Sequence, residues 1–361
     1  MRVLYLTNYH NPYRDEFFEQ LGLKCDLTVF FEQSAASTRD ASWFEHPRTT
    51  QYQEILSSPN TSRTALMKAL VRQTWDVIVF GCYNSPTQIK TMLHLRRHQT
   101  PFILNSDGMV FASSNPLKER FKHYVLRSAT AYLIAGEKCV ESLRGIVGDS
   151  AIIQPYPFTS LTQKQVKDAA EYASEARLRR KNNLILTVGQ FESYKGLDVL
   201  LFVAHSYPEI RFRIVGVGNK QAAIDRLVQE QQLQNVEVVS FLSPSDLAHE
   251  YASARLFVLP SRQECWGLVI NEAAAYGCPI VSTWGSGAAV EYLSDLHPDL
   301  LAKPGDASSL AHAIDHALSM SDGELEGYSA YLVQKSKRYT IENCVAAHLN
   351  LFTHLLQDEQ L

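Results

Sequence analysis

PSRQECWGLVINE, residues 260–272, is the stretch on which the reading of this chain turns. The apolar run Leu256–Leu259 leads into it, so a buried strand should end at Pro260 and a short polar loop should follow. A helix should then begin near Trp266 or Gly267. The first backbone N–H groups of such a helix have no intrahelical partner, and at the open end of a sheet they attract phosphate. Glu264 falls in the loop and Glu272 in the helix, about two turns apart, where carboxylates accept hydrogen bonds from sugar hydroxyls. A diphosphate and hydroxyls recognised together point to a nucleotide-sugar.

Outward from this stretch the chain alternates strand and helix. In the first half, apolar runs stand at Val3–Thr7, Asp26–Phe31, Val77–Phe80, Phe102–Asn105 and Ala131–Ala135. Helical patterns follow at Asn11–Leu21, Ser62–Gln73, Ser85–Arg97, Pro116–Ser128 and Glu137–Ile146. The second half has strands at Leu184–Val188, Phe212–Val215, Val236–Phe241, Leu256–Leu259 and Ile280–Ser282. Its helices fall near Gly196–His205, Lys220–Leu233, Pro244–Ala252, Leu268–Tyr276 and Ala307–Ser319. Continuous apolar strands alternating with helices predict α/β architecture with parallel, doubly wound sheets covered on both faces. Two such sheets in tandem should bring their carboxyl strand ends to a common cleft, where ligands bind in this architecture. Between Thr162 and Asn183 the chain turns charged and polar; a surface helix and a linker fit equally well. The expected domains are 1–165, 166–340 and a helix over 341–361 that packs back on the first domain.

The 361 residues suffice for two domains, and a hydrophobic content of 45% supports real cores. A net charge of −4 gives no global field that would recruit nucleic acid or an anionic membrane. The six cysteines, including Cys25 and Cys344, show neither CxxC pairing nor metal-ligand spacing, and read as reduced thiols of a cytoplasmic protein. His94, His98 and His123 form no metal pair. MRVLYLTNYH reads as a first strand rather than a signal peptide, and no run approaches the ~20 apolar residues of a membrane span.

Four segments then occur in order: VGQFESYKGLDVLL, FRIVGVGNK, VVSFLSPSDLAHEYASARLFVLPSRQECWGLVINEAAAYGCPIVST and GSGAAVEYL, together covering Val188 to Leu293. In them the chain resembles the donor domain of retaining glycosyltransferases of the GT-B fold, the large family 4, also called glycosyl transferases group 1. The resemblance implies two Rossmann-like domains facing an interdomain cleft and transfer of a hexose from a UDP- or GDP-sugar. The acceptor it implies is a hydroxyl of a saccharide or lipid-linked saccharide, used in polysaccharide or glycolipid synthesis at the cell surface. No cofactor is implied beyond the co-substrate.

Lys195, on the loop after the first strand of this half, can meet phosphate as a point charge or stand solvated; the resemblance assigns it to the diphosphate. The family often carries arginine where this chain has Gln190, so one phosphate clamp is missing. Arg262 is a candidate replacement, with a solvated arginine as the equal alternative. Gly216 and Gly218 fit either a close backbone approach to the nucleotide or a plain turn, and the resemblance places the nucleotide there, with backbone near Phe241 and Leu242 at the base. It assigns Glu264 to the transferred sugar and Glu272 to the ribose. The helix start at Gly267 and Leu268 belongs to the same donor site. Trp266 could lie under the donor sugar or in the core. Gly285, Ser286 and Gly287 read as another tight turn, and Glu291 as structural.

In the first half, Asn11 as N-cap and Pro12 in the first turn mark a helix start. Tyr13 and Arg14 are acceptor or phosphate candidates. Asp107, in ILNSDG after a strand, is an acceptor-side and catalytic candidate, with an Asp-Gly turn as the alternative. The helix NPLKERFKHYVLRS combines Lys118, Arg120, Lys122 and Arg127 with Phe121, Tyr124, Val125 and Leu126. It can lie on a membrane surface, or it can be an ordinary helix whose apolar face the sheet requires.

No Asp-x-Asp occurs in the sequence, so no metal is expected on the diphosphate through such a motif. Helix dipole, backbone donors and Lys195 would stabilise the leaving group instead. The family implies front-face attack with the leaving phosphate oxygen taking the acceptor proton. Two other classes fit less well: a nucleotide-sugar-binding protein without turnover, and a related epimerase or phosphorylase.

Overall fold

The computed structural model describes residues 1–33, 51–57, 62–176, 183–240 and 242–358, without the side chains of residues 12, 13, 62, 63, 175, 176 and 358. The chain divides into two compact units, Met1–Ser160 with Ile341–Leu361, and Leu161–Thr340.

The first unit is built on seven strands: β1 (Arg2–Thr7), β2 (Asp26–Phe31), β3 (Gln53–Leu56), β4 (Val77–Phe80), β5 (Ile103–Ser106), β6 (Ala131–Ala135) and β7 (Ile152–Tyr156). Their order is β3-β2-β1-β4-β5-β6-β7, with every pairing parallel. The central strands are buried along almost their whole length, as expected where helices cover both faces. The crossovers are α1 (Pro12–Gly22), α2 (Ser62–Arg72), α3 (Pro86–Arg97), α4 (Pro116–Leu126) and α5 (Val140–Val147). α1 starts as the residues predict: Asn11 Oδ1 accepts the Arg14 N–H at 3.0 Å, and Pro12 occupies the first turn.

Two of these strands escape the sequence pattern because they are edges. β3 is half-exposed along its length, and β7 carries Pro155, which an edge strand tolerates since it needs no second ladder.

The second unit has six parallel strands, β8 (Leu184–Val188), β9 (Arg211–Val215), β10 (Val236–Val239), β11 (Leu256–Val258), β12 (Ile280–Thr283) and β13 (Leu301–Ala302), ordered β10-β9-β8-β11-β12-β13. The polar stretch after Thr162 is a helix, α6 (Gln163–Ala176), which packs on α9 (Pro244–Ser253) and α10 (Leu268–Ala275). It therefore belongs to the second unit, whose start at Leu161 precedes the expected boundary; residues 177–182 lie outside the described residues. The remaining helices are α7 (Leu197–Ala204), α8 (Gln221–Glu230), α11 (Gly287–Leu293), α12 (Ala307–Ser319) and α13 (Asp322–Ser336). The last helix, α14 (Ile341–Asp358), leaves this unit and packs in the first against α1 and β7.

In each sheet the strand order reverses once, between β1 and β4 and between β8 and β11. The loops at the carboxyl ends of those strand pairs are where doubly wound sheets bind ligands.

Candidate functional site

In the second unit the loops after β8 and β11 meet at the reversal point. Lys195 ends a 3-10 turn, Ser193–Lys195, and its Nζ is ion-paired with Glu264 Oε2. Both side chains are largely enclosed, 12% and 17% exposed, so solvent screens the pair weakly. Gly196 makes this approach possible: its φ is +68°, and a Cβ there would stand 2.2 Å from the Pro260 carbonyl oxygen.

Glu264 is fixed by backbone as well. Its N–H donates to Gly285 O at 2.8 Å, its own carbonyl accepts from Gly287 N at 3.2 Å, and it forms an isolated bridge with Ser286. A side chain at Gly287 would put its Cβ 2.2 Å from Cys265 O, so the turn after β12 must be bare to hold the carboxylate loop. The Gly285–Gly287 turn thus serves Glu264.

α10 follows at once, with Gly267 as N-cap and no side chain capping it, so backbone donors open the helix beside the ion pair. Leu268 is half-buried in that first turn. Glu272, one turn on, accepts the Tyr251 hydroxyl at 2.9 Å. Burial pushes that phenol well above its ordinary range, and the adjacent carboxylate adds to the shift, so Tyr251 stays a neutral donor. The Gly216–Gly218 loop lies against the loop after β8: Phe191 N donates to Val217 O and Lys220 N to Phe191 O, at 3.0 and 2.9 Å. Gln190 is half-buried in the same loop. Leu242 is half-buried, and Phe241 lies outside the described residues.

Two expectations change. Trp266 is 2% exposed and its indole N–H donates to Asn271 Oδ1 at 2.9 Å, so it is a core residue bracing α10 and not a face under a sugar. Arg262 is 36% exposed but not free: it clamps Asp198 with two 2.7 Å hydrogen bonds and donates to Ser193 O at 3.0 Å. Its guanidinium holds the Asp198 carboxyl below the usual carboxylate range. Arg262 and Asp198 line a cavity of about 460 Å³ with Ser193, Lys220, Ile224 and Leu227, and neither Lys195 nor Glu264 reaches its wall. Asp198 and Ser193 engage both Nη atoms of Arg262, so a phosphate would compete with Asp198 for that edge of the guanidinium. Glu291 is 4% exposed and accepts the Tyr339 hydroxyl at 2.7 Å, a structural role.

In the first unit, Arg14 is 8% exposed and its Nη2 is paired with Asp107 Oδ2. Asp107 therefore does more than end a turn. The side chain of Tyr13 lies outside the described residues. Sequence reasoning missed the groups behind the pair: Tyr156 contacts Asp107 Oδ1 at 3.0 Å, and Asn105 links Tyr156 to His348 of α14. It also missed a polar cluster after β1, β2 and β4, in which Glu32 accepts from Ser85 at 2.6 Å and from Gln88 at 3.3 Å. Among the described residues no three His, Cys, Asp or Glu side chains are grouped as metal ligands, and no helix is long and apolar enough to cross a membrane.

In α4 the apolar residues divide between core and surface. The fold claims Val125 and Leu126, which are buried, but Leu117, Phe121 and Tyr124 are 77%, 51% and 52% exposed. At spacings of four and three residues they form one stripe. Lys118, Arg120 and Arg127 are exposed on the same segment, and Arg96 stacks on Tyr124 at 4.7 Å.

Residues 168–337 match the family of glycosyl transferases group 1. The sequence is 25% identical to an O-antigen chain mannosyltransferase C of Escherichia coli over 99% of this chain and 100% of that one. Sucrose-phosphate synthase from Thermosynechococcus elongatus superposes with a TM-score of 0.74 at 18% identity, covering 99% of this chain and 100% of that one. Anabaena HepE, solved in complex with UDP, superposes with a TM-score of 0.72 at 15% identity, covering 98% and 99%. At such identities the two structures speak for the fold, which is GT-B.

Proposed function

The second unit of the chain belongs to the glycosyl transferases group 1, and from that premise we propose that this glycosyltransferase moves a hexose from a UDP- or GDP-sugar to a hydroxyl of a saccharide or lipid-linked saccharide. The transfer retains anomeric configuration, needs no metal ion, and serves assembly of a cell-surface polysaccharide or glycolipid on the cytoplasmic side. The observation that carries the reading is the Lys195–Glu264 pair beside the uncapped start of α10, at the β8/β11 reversal. The full-length similarity to an O-antigen mannosyltransferase supports the polysaccharide context, and the UDP held by HepE supports the donor class.

Each residue then has a chemical task. Lys195 and the N–H groups opening α10 take up charge on the leaving diphosphate, as fixed donors that need no reorganisation. One oxygen of Glu264 holds Lys195, and the other accepts from hydroxyls of the transferred sugar. Glu272 takes the ribose hydroxyls, and the Gly216–Gly218 loop with Leu242 lines the nucleotide. The bond from the anomeric carbon to the phosphate oxygen breaks, the bond to the acceptor oxygen forms on the same face, and the acceptor proton passes to the departing phosphate oxygen. Arg14 and Asp107 orient the acceptor.

The donor is identified by screening UDP- and GDP-sugars for protection against thermal unfolding. A sugar nucleotide at a hundred times its Kd stabilises by about 2.7 kcal/mol. The protein should respond to one base and release that nucleoside diphosphate when a saccharide is added; protection by neither series would overturn the donor assignment.

α4 docks the protein on an anionic membrane surface, where a lipid-linked acceptor resides. Its exposed Leu117, Phe121 and Tyr124 enter the interface and its basic residues meet the headgroups. Each basic residue near such a surface contributes about 1 kcal/mol. Lys118→Glu with Arg120→Glu should therefore cut co-sedimentation with phosphatidylglycerol vesicles by at least about tenfold, while phosphatidylcholine vesicles bind neither form. Equal binding of both proteins to the anionic vesicles would refute this docking.

A further inference from the structure

The Arg14–Asp107 pair is the surface end of a hydrogen-bonded chain that runs into the first unit and ends on α14. His348 is 1% exposed, and its Nδ1 lies 2.8 Å from the carbonyl oxygen of Cys344, one turn back. A carbonyl only accepts, so Nδ1 carries the proton and Nε2 is left as an acceptor. Asn105 Nδ2 stands 3.0 Å from Nε2, which obliges the amide to present its NH2 to the histidine. Asn105 Oδ1 therefore faces the Tyr156 hydroxyl, 2.8 Å away. The same hydroxyl oxygen is 3.0 Å from Asp107 Oδ1, while Asp107 Oδ2 holds Arg14. Asn105 and Tyr156 are 2% and 3% exposed, whereas the Asp107 side chain is 32% exposed.

The tautomer of one histidine thus sets the orientation of the Asn105 amide, and with it the group that Asn105 presents to Tyr156. Tyr156 has a single proton and three acceptors in reach, Asn105 Oδ1, Asp107 Oδ1 and, at 3.4 Å, Ser106 O, so the hold on Asp107 depends on what Asn105 presents. Without an acceptor at position 348 the Asn105 amide is free to turn over, and the hydroxyl, with its contact to Asp107, turns with it. Every member lies in the first unit, drawn from β1's following helix, the ends of β5 and β7, and the last helix of the chain.

We propose that His348, through Asn105 and Tyr156, is a positioning residue for the Arg14–Asp107 pair, so that the C-terminal helix orients the acceptor hydroxyl. The inference rests on the reading that Arg14 and Asp107 serve the acceptor. It assigns no contact with substrate to His348.

The test uses the full chain, the donor found by the unfolding screen, and p-nitrophenyl hexopyranosides (glucoside, galactoside and mannoside) as acceptor probes. Hydrolysis of the donor by water is the acceptor-independent control. His348→Phe and Tyr156→Phe should each raise the acceptor KM or lower transfer by about tenfold, in the range of a small misplacement of a reacting group, with donor KM and hydrolysis unchanged. His348→Gln, which restores an acceptor near the Nε2 position, should recover most of the loss. Because the two sites act through one chain, the double variant should be no worse than the poorer single one. Additive losses, no rescue by glutamine, or equal losses in transfer and hydrolysis would each overturn the proposal. Tyr156→Phe keeps the test decisive should His348→Phe fail to fold. Asp107→Asn separates the two levels: unchanged transfer by that variant removes the acceptor reading itself, and no transfer to any probe by the unaltered protein does the same. A transfer defect in Asp107→Asn with unaffected His348 and Tyr156 variants removes this inference alone.

Discussion

Glu264→Ala should lower transfer by about 10²–10³-fold, the usual loss when one preorganised group at a developing charge is removed, while nucleoside diphosphate binds within a few-fold of the unaltered protein. The split follows from the geometry. Glu264 holds Lys195 with one oxygen; in the proposed reading its other oxygen serves sugar hydroxyls, and the nucleotide contacts fall to Glu272, the Gly216–Gly218 loop and the start of α10. Glu264→Gln keeps a hydroxyl acceptor but releases Lys195 from its charge partner, and should fall between the two. Lys195→Ala should differ in kind, weakening both nucleoside diphosphate affinity and turnover, because the proposed role of its amine is to meet the leaving group. The measurements are kcat with the identified donor and the Kd of the nucleoside diphosphate for each variant. Transfer undiminished in Glu264→Ala would remove that residue from the sugar, and nucleotide affinity lost along with transfer would move it to the phosphate.

What could be read from the residues alone depended on how local each relation is. Strand, loop and helix around Glu264 are contiguous in sequence, and the loop's glutamate, glycine and following helix fall within one short window. The central strands of both sheets were legible for a similar reason, since burial on both faces leaves continuous apolar runs such as Leu184–Val188. Edges hide this signal: β3 and β7 are covered on fewer sides and look like loop. Trp266 could not be decided locally, because its partner Asn271 satisfies the indole only once α10 has formed and the core has closed over both. The residues of α4 fit two readings, and the fold divides them: it buries Val125 and Leu126 and leaves Leu117, Phe121 and Tyr124 outside.

The network behind Arg14 and Asp107 was beyond reach because its members are far apart in the chain. Asn105 and His348 are separated by 243 positions, and nothing near either residue announces the other. One hint stood in the sequence: His348 is a polar residue in the helix run IENCVAAHLNLFTHLL, among alanine, leucine and phenylalanine. A histidine so placed has to be neutral and hydrogen-bonded or it would oppose folding. The structure meets both conditions.

That requirement carries a measurable consequence for stability in acid. Burial lowers the His348 pKa from 6.5 to about 4; the hydrogen bond with Cys344 works against the shift, and the charge of Arg14 adds to it. In the folded chain the ring therefore stays neutral down to about pH 4, while in the unfolded chain it takes up a proton near pH 6.5. Between those values the unfolded state binds more protons, so stability must rise with pH. The contribution is fully present above pH 6.5 and is lost as pH falls toward 4, amounting to roughly 3 kcal/mol across the window. Carboxylates titrate in the lower part of the same range, so the diagnostic quantity is the difference between proteins and not the acid limb itself. His348→Phe removes the titrating group. Its chemical-unfolding midpoint should be lower than that of the unaltered protein at pH 7.5, where the Asn105 amide has lost its acceptor, and the deficit should shrink or reverse by pH 4.5. Parallel acid limbs for the two proteins would mean that His348 is not buried neutral. The orientation it imposes on Asn105, and through Tyr156 on Asp107, would then lose its physical basis.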